Sequence, residues 1–406
     1  EDKNVSLLGL PSESDWVLYS SFMDKSLMRD VLVYQWSNEC GRYAPRTRFV
    51  EVFLNTDSGD VRMDSFANVT PYADPVRYPA LNGGCSYPGD YMGVYVLIEK
   101  IKRDEYRVDV EKLEPYHNSE PEISGGYLIK NDRVDPGDKG FRTSRGEGFL
   151  CPMVYVDPKE AEITPQQAAW LYNYTAALDN VLVSANFSDP VAGYSQYIDV
   201  GSFIDYELMV ELAKNPDGYI FSTFLFKDRS GKIHMGPQWD YNLTLGNANW
   251  VHCNYTYGWY TVAGRPDLGN YCIYQWTDRL HDDPEFMVQW WDRWFELRKT
   301  VWNKSKILND IDGYAQFLDV AQQRNFQRWP ILGVKVNADI YGEYFVGATY
   351  QEEIDHMKGW ITDRINWIDS QSPYNTPPAF VQNENHVPAG QPVPMASGGV
   401  LNGSLK

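Results

Sequence analysis

A short strand-like run interrupts an otherwise helical half-chain, and it constrains the fold more than any other feature. Residues 219–227, YIFSTFLFK, are aromatic-rich and read as a strand. Asp228-Arg229-Ser230-Gly231 is a turn, and residues 232–238, KIHMGPQ, form the return strand. Helical patterns lie on both sides. Thr164-Pro165-Gln166-Gln167 is a capping box with Pro at the first helical position. Ser202-Phe203-Ile204-Asp205 starts a helix with Ile204, Leu208 and Leu212 on one face. Asp283-Pro284 opens a Trp-rich helix through Trp290, Trp291, Trp294 and Phe295, whose indoles are expected to pack a core. Thr349-Tyr350-Gln351-Glu352 caps a last helix with Ile354, Met357, Ile361, Ile365 and Ile368 in register.

The first half reads mixed. Residues 24–36 have helical spacing, residues 47–55 alternate like a strand, and residues 93–101 and 125–130 read as further strands around a Pro-, Gly- and Tyr-rich loop at 70–92. The expected class is α+β. Three regions follow: a β-rich region over 1–130, a largely helical one over 131–371 carrying the hairpin segment 216–248, and a Pro/Gly-rich extended tail over 372–406.

Composition removes several functions. The chain has 406 residues with 36 Lys+Arg against 55 Asp+Glu, a formal net charge of −19. A phosphate backbone needs clustered Lys and Arg, so no nucleic-acid partner is expected. Anionic lipid surfaces are disfavoured for the same reason. No apolar run reaches the roughly 18 residues of a membrane helix. A hydrophobic share of 43% makes the chain globular, in two or three domains or one large two-lobed one. It begins with Glu1 and no leader pattern, which fits a mature chain or a fragment.

Five cysteines, Cys40, Cys85, Cys151, Cys253 and Cys272, form no C-x-x-C pair, which argues against zinc. Cys253 and Cys272 are expected to close a loop as a disulfide, with buried free thiols as the alternative. Eight Asn-x-Ser/Thr sequons occur, at Asn4, Asn68, Asn173, Asn186, Asn242, Asn254, Asn303 and Asn402. Chance would give about two from 25 Asn and 39 Ser+Thr. The excess points to a secreted glycoprotein, against the plainer reading of an Asn-rich bacterial chain. Asn242 lies inside the motif below and is expected to be too enclosed for a glycan.

Asp217 follows the helix begun near Ser202, and Asp240 follows the hairpin. Folding the hairpin back brings its ends together, so carboxylates 23 positions apart can share one site. Phosphoryl transfer needs such a pair: one Asp takes the proton of the attacking hydroxyl, the other holds Mg²⁺. On spacing alone, two Asp flanking a hairpin are more often turn and cap residues.

The surrounding residues are more specific. MGPQWDYNLTLGNA (235–248) resembles the Gly-Pro-x-Trp-Asp-[Phe/Tyr]-[Asp/Asn]-x-x-x-Gly-Asn signature of the spore-coat-protein-H (CotH) kinase family. YMGVYVLIEKIKRDEYRVDVEKL (91–113), GGYLIKNDR, YIDVGSFIDYELMVELAKNPDGYIFSTFLFKDRSGK, RWFELRK and RNFQRWPILG also match in order, so the resemblance spans about residues 5–370. It implies an atypical, secreted, protein-kinase-like two-lobed fold using ATP and Mg (or Mn) on extracellular protein hydroxyls. Asp217 then matches the catalytic Asp and Asp240 the metal Asp. Asn242 adds a metal ligand, and Ser222 stands five residues after Asp217, where typical kinases carry a metal-binding Asn. Glu99 and Lys100, at the end of a strand leading to the lobe hinge, become nucleotide candidates. The helix at 24–36 corresponds to the kinase αC helix, with Arg29 on its polar side either facing the site or forming a surface salt bridge.

The family usually shows Arg-Gly-x-Ser-Ser and Pro-Lys-Lys-Ser-Tyr stretches upstream, whereas this chain starts at EDKNVSLLGLP. The small lobe is therefore expected to be truncated at its start, with Arg46, Arg48 or Lys100 as substitute phosphate cations. That expectation supports the alternative of a pseudokinase: a structural or adhesive extracellular glycoprotein that self-assembles through an open sheet edge. A carbohydrate-binding module rests on aromatic content alone. His234 and His252 receive no role.

Overall fold

The structure is a computed structural model describing residues 3–55, 59–61, 90–143, 152–260, 272–336, 345–373, 392–394 and 400–402; Cys272, Tyr274 and the last two segments are described by backbone alone. The described residues form an α+β fold with two main antiparallel sheets. The first sheet has the order β1-β3-β2, from Trp16–Ser20, Tyr91–Glu99 and Thr47–Phe53. The residues joining β1 to β2 form α1 (Arg29–Glu39). Central β3 is apolar and almost wholly buried because α6 (Lys304–Arg328) covers it. Asn325 Oδ1 on α6 accepts the Val94 N–H at 2.9 Å. Gly93, at φ +112°, is required there, since a Cβ would meet that oxygen at 2.6 Å.

The second sheet explains the interrupted helical run. Its order is β5-β6-β4-β7-β8, from Gly140–Phe141, Met153–Asp157, Tyr127–Asn131, Thr223–Lys227 and Ile233–Met235. The hairpin is therefore one side of a sheet whose other strands come from far upstream: β4 pairs β7 with Leu128 opposite Phe226 and Ile129 opposite Leu225. The strand expected over 219–227 begins only at Thr223. Tyr219 and Ser222 take positive φ, 66° and 51°, which no strand tolerates, so 217–222 is a loop.

The helices follow their caps. At α2 (Pro165–Leu182) the capping box forms: Thr164 Oγ1 accepts from Gln167 N at 3.2 Å, and Gln167 Oε1 accepts from Thr164 N at 3.0 Å. α3 (Val200–Ala213) starts earlier than Ser202, because Asp199 caps it. It is buried nearly all round, Glu207 and Glu211 included. α4 (Cys272–Leu280) precedes α5 (Pro284–Lys299), whose Trp290, Trp291 and Trp294 lie in the core. In α7 (Tyr350–Ser370) the five apolar residues named above are all buried. A last pair of strands, β9 (Pro392–Pro394) and β10 (Val400–Asn402), lies in the tail.

No disulfide forms among the described residues. Cys253 is buried, and the Cys272 side chain lies outside the described residues, so the expected Cys253–Cys272 bond is not among those seen. Asn68 also lies outside them, as does the side chain of Asn402. Among the described residues no helix is long and apolar enough to cross a membrane.

Candidate active site

Two loops meet at the open end of β4 and β7. The first leaves α3 through Lys214, left-handed at φ 50°. Its buried ammonium donates to the carbonyls of His252, Tyr255 and Tyr257 at 3.2, 3.1 and 2.6 Å, which turns the chain sharply. Asn215 Oδ1 accepts the Asp217 N–H at 3.0 Å, and the Asp217 carbonyl accepts from Ile220 and Phe221, each at 2.9 Å. Asn131, the last residue of β4, donates to the Ile220 carbonyl at 2.8 Å and the Tyr219 carbonyl at 3.3 Å. The Tyr260 hydroxyl donates to the Pro216 carbonyl at 2.7 Å. The loop carrying Asp217 is thus held from three sides.

The second loop follows β8. Asp240 has φ +64°, a conformation Asp tolerates better than most residues. Side chains of α1 and β1 hold it there. The Asp240 N–H donates to the Tyr34 hydroxyl at 3.0 Å, and the Tyr241 N–H donates to Asp30 Oδ1 at 2.6 Å. Trp239 stacks on Tyr34 with centroids 6.1 Å apart. Asn242 Nδ2 donates to the Tyr19 hydroxyl at 2.6 Å.

The hairpin brings Asp217 and Asp240 into one electrostatic site. Burial first, and then the Asp240 charge, push the Asp217 carboxyl up to about 6. Burial, and then Asp132, raise Asp240. Arg133 pulls both back down. Asp30, enclosed under Tyr241, is pushed up to about 8 by burial and then by Asp240.

The other expected site residues divide. Asn242 sits beside Asp240, and Ser222 closes the Asp217 loop. Among the described residues Glu99 and Lys100 make no hydrogen bond or ion pair to either loop. Glu99 is fully buried and accepts from Arg46 Nη2 at 2.7 Å, Arg46 Nε at 2.9 Å and the Tyr43 hydroxyl at 3.3 Å. Lys100 is exposed; its carbonyl accepts from Arg107 Nη1 at 2.8 Å, and its charge acts on Asp15. Arg29 is fully buried, ion-paired with Asp24, and donates to the Thr244 carbonyl at 2.9 Å, so it supports the Asp240 loop from beneath. The sequence reading missed Asp30, Asp132 and Arg133. The last two close the GGYLIKNDR segment, and Asp30 follows Arg29 in the αC-like helix; those segments were the available signal.

The donor set suits a hard divalent cation. Among the described residues no three His, Cys, Asp or Glu side chains gather at metal-ligand spacing. Asn242 uses its amide nitrogen on Tyr19, leaving Oδ1 without a partner among the described residues. One carboxylate with neutral oxygens, completed by water and substrate phosphate, is how Mg²⁺ is commonly bound. Asp240 and Asn242 Oδ1, two residues apart on one loop, are oxygen donors of that kind.

The profile of the CotH kinase protein family matches residues 1–368. Comparison with curated proteins finds no matching relative. The profile covers both loops, both main sheets and α1 to α7, and on that match the chain belongs to the CotH kinase family.

Proposed function

We propose that the protein is a secreted kinase of the CotH type that transfers the γ-phosphoryl group of ATP to Ser or Thr hydroxyls of extracellular proteins. In this reading the first sheet with α1 is the small lobe, and the second sheet with the remaining helices is the large one. Asp217 orients the attacking hydroxyl and takes its proton as the new O–P bond forms and ADP leaves. Asp240, Asn242 and Ser222 hold Mg²⁺ or Mn²⁺, which when bound neutralises phosphate charge. The observation that carries the reading is the meeting of Asp217 and Asp240 across the β7–β8 hairpin, close enough for one charge to raise the other's carboxyl. Two buried carboxylates that perturb each other cost stability, and such pairs cluster at functional sites.

The test is transfer of labelled phosphate from ATP, with Mg²⁺ or Mn²⁺, to the protein itself or to a Ser/Thr-rich substrate. Asp240→Ala should abolish it, and Asp217→Ala should lower turnover by about 10²–10⁴-fold. Incorporation that survives Asp240→Ala would refute the reading.

Edge strands favour a second reading, non-catalytic assembly. Among the described residues β1 and β2 flank the first sheet, each bonded within it to β3 alone, and β1 exposes half of Leu18. Such edges accept strands from other chains. Concentration-dependent polymers in sedimentation, together with no ATP binding, would support it.

A further inference from the structure

We propose that Arg133 is a phosphate-binding residue of this site, taking the terminal phosphate of the bound nucleotide. The inference rests on the kinase reading above. Among the cations expected for this task, Arg46 is held by Glu99, Arg48 donates to the Leu8 and Thr47 carbonyls at 3.0 and 2.8 Å, and the charge of Lys100 acts on Asp15. Arg133 was not among them, yet it has the placement and the free donors.

Its position follows from the fold. β4 ends at Asn131, whose side chain is bonded to the Asp217 loop, so Arg133, two residues on, emerges beside that loop. Asp132 Oδ1 accepts the Arg133 N–H at 2.8 Å and fixes the turn. The guanidinium lies over the Phe221 ring, 4.2 Å from its centroid. Phe221 belongs to the Asp217 loop, so cation and carboxylate share one rigid platform. Stacking holds the planar fork in place without using its N–H donors.

Those donors are open. Among the described residues the Arg133 guanidinium makes no hydrogen bond and no ion pair, although its charge reaches both Asp217 and Asp240. Asp132 instead pairs with Lys130 at 3.3 Å. An exposed Arg beside two carboxylates would ordinarily pair with one. Here the stacked cation pairs with neither among the described residues. The guanidinium of Arg133 would meet a terminal phosphate held there, because Arg presents two parallel donors to phosphate oxygens.

The experiment is calorimetric titration of the full chain with ATP and, separately, ADP, each with Mg²⁺. Arg133→Ala should weaken ATP by about ten- to a hundredfold, the worth of one charge-assisted bidentate contact. ADP should weaken less than about threefold, and Arg133→Lys should restore part of the ATP affinity. The melting temperature should stay within a degree or so, since the side chain is exposed. Unchanged ATP affinity, or equal losses for ATP and ADP, overturns the assignment while leaving the kinase reading intact. Failure of the wild-type chain to bind either nucleotide overturns both.

Discussion

Asp217 is buried where its charge is costly, and the cost has a pH signature. Its carboxyl stands at about 6, above the 3.8 of an unperturbed Asp, because of burial and then Asp240. A raised carboxyl favours the protonated folded form. Its stabilising contribution is therefore complete below about pH 4 and is lost as pH rises through about 6. Asp217→Asn should stabilise the metal-free protein at pH 8, by up to about 3 kcal/mol, with a correspondingly higher melting temperature, and leave its stability unchanged near pH 4. Differential scanning calorimetry at the two pH values checks this, and a gain confined to pH 4 would show the sign to be wrong. Asp240→Asn should bring the Asp217 midpoint down only part of the way in carboxyl NMR, since burial is the larger cause. Both aspartates were legible in the chain because a hairpin fixes its own ends. Asp30 and Arg133 were not: their approach depends on α1 docking under Tyr241 and on β4 pairing with β7, contacts between residues far apart in sequence.

At the scale of elements, legibility tracked local signals. The α2 capping box, the Asp283 cap of α5 and the apolar register of α7 are local, and all appear. β6 went unseen inside a region read as helical, because five residues give little periodicity, although Pro152 and Asp157-Pro158 bracket it as turn signals. α3 shows a different limit. A helix buried all round carries no amphipathic stripe, so nothing marks Glu207 and Glu211 as interior. Glu211 nevertheless organises the lower half of the site. It pairs with Arg364 of α7 at 2.8 Å, both side chains wholly buried, and accepts the Tyr260 N–H at 3.0 Å through each oxygen. Tyr260 in turn holds the Pro216 carbonyl beside Asp217. Arg364→Met should therefore destabilise the protein by about 3–5 kcal/mol by stranding a buried carboxylate. Glu211→Gln added to it should recover part of that loss, since no unpaired charge remains. Urea unfolding of both single variants and the double variant measures the coupling. Additive losses would mean that the two residues do not act as a pair.

At the scale of the molecule, the sequons separate by what their side chains already do. Asn4, Asn173, Asn186 and Asn303 are exposed, Asn254 is half-buried, and Asn242 is half-buried within the site. A glycan is joined through the amide nitrogen of Asn, so the decisive question is whether that nitrogen is engaged. At Asn303, the cap of α6, the bond that matters uses the oxygen: Oδ1 accepts the Ser305 N–H at 3.0 Å. A sugar on Nδ2 leaves that cap intact. At Asn242 the nitrogen is the engaged atom, donating to Tyr19 at 2.6 Å, while the backbone carbonyl accepts from Asn247 at 2.8 Å. Glycosylation there would break the contact between the Asp240 loop and β1. When the chain is secreted from a eukaryotic host, peptide mass spectrometry should find glycans at Asn4, Asn173, Asn186 and Asn303 and none at Asn242. Occupancy at Asn242 in folded protein would contradict the placement of this loop against β1. Bare Asn173 and Asn186 would remove the argument that the excess of sequons serves secretion, leaving the negative surface charge to keep the protein dispersed.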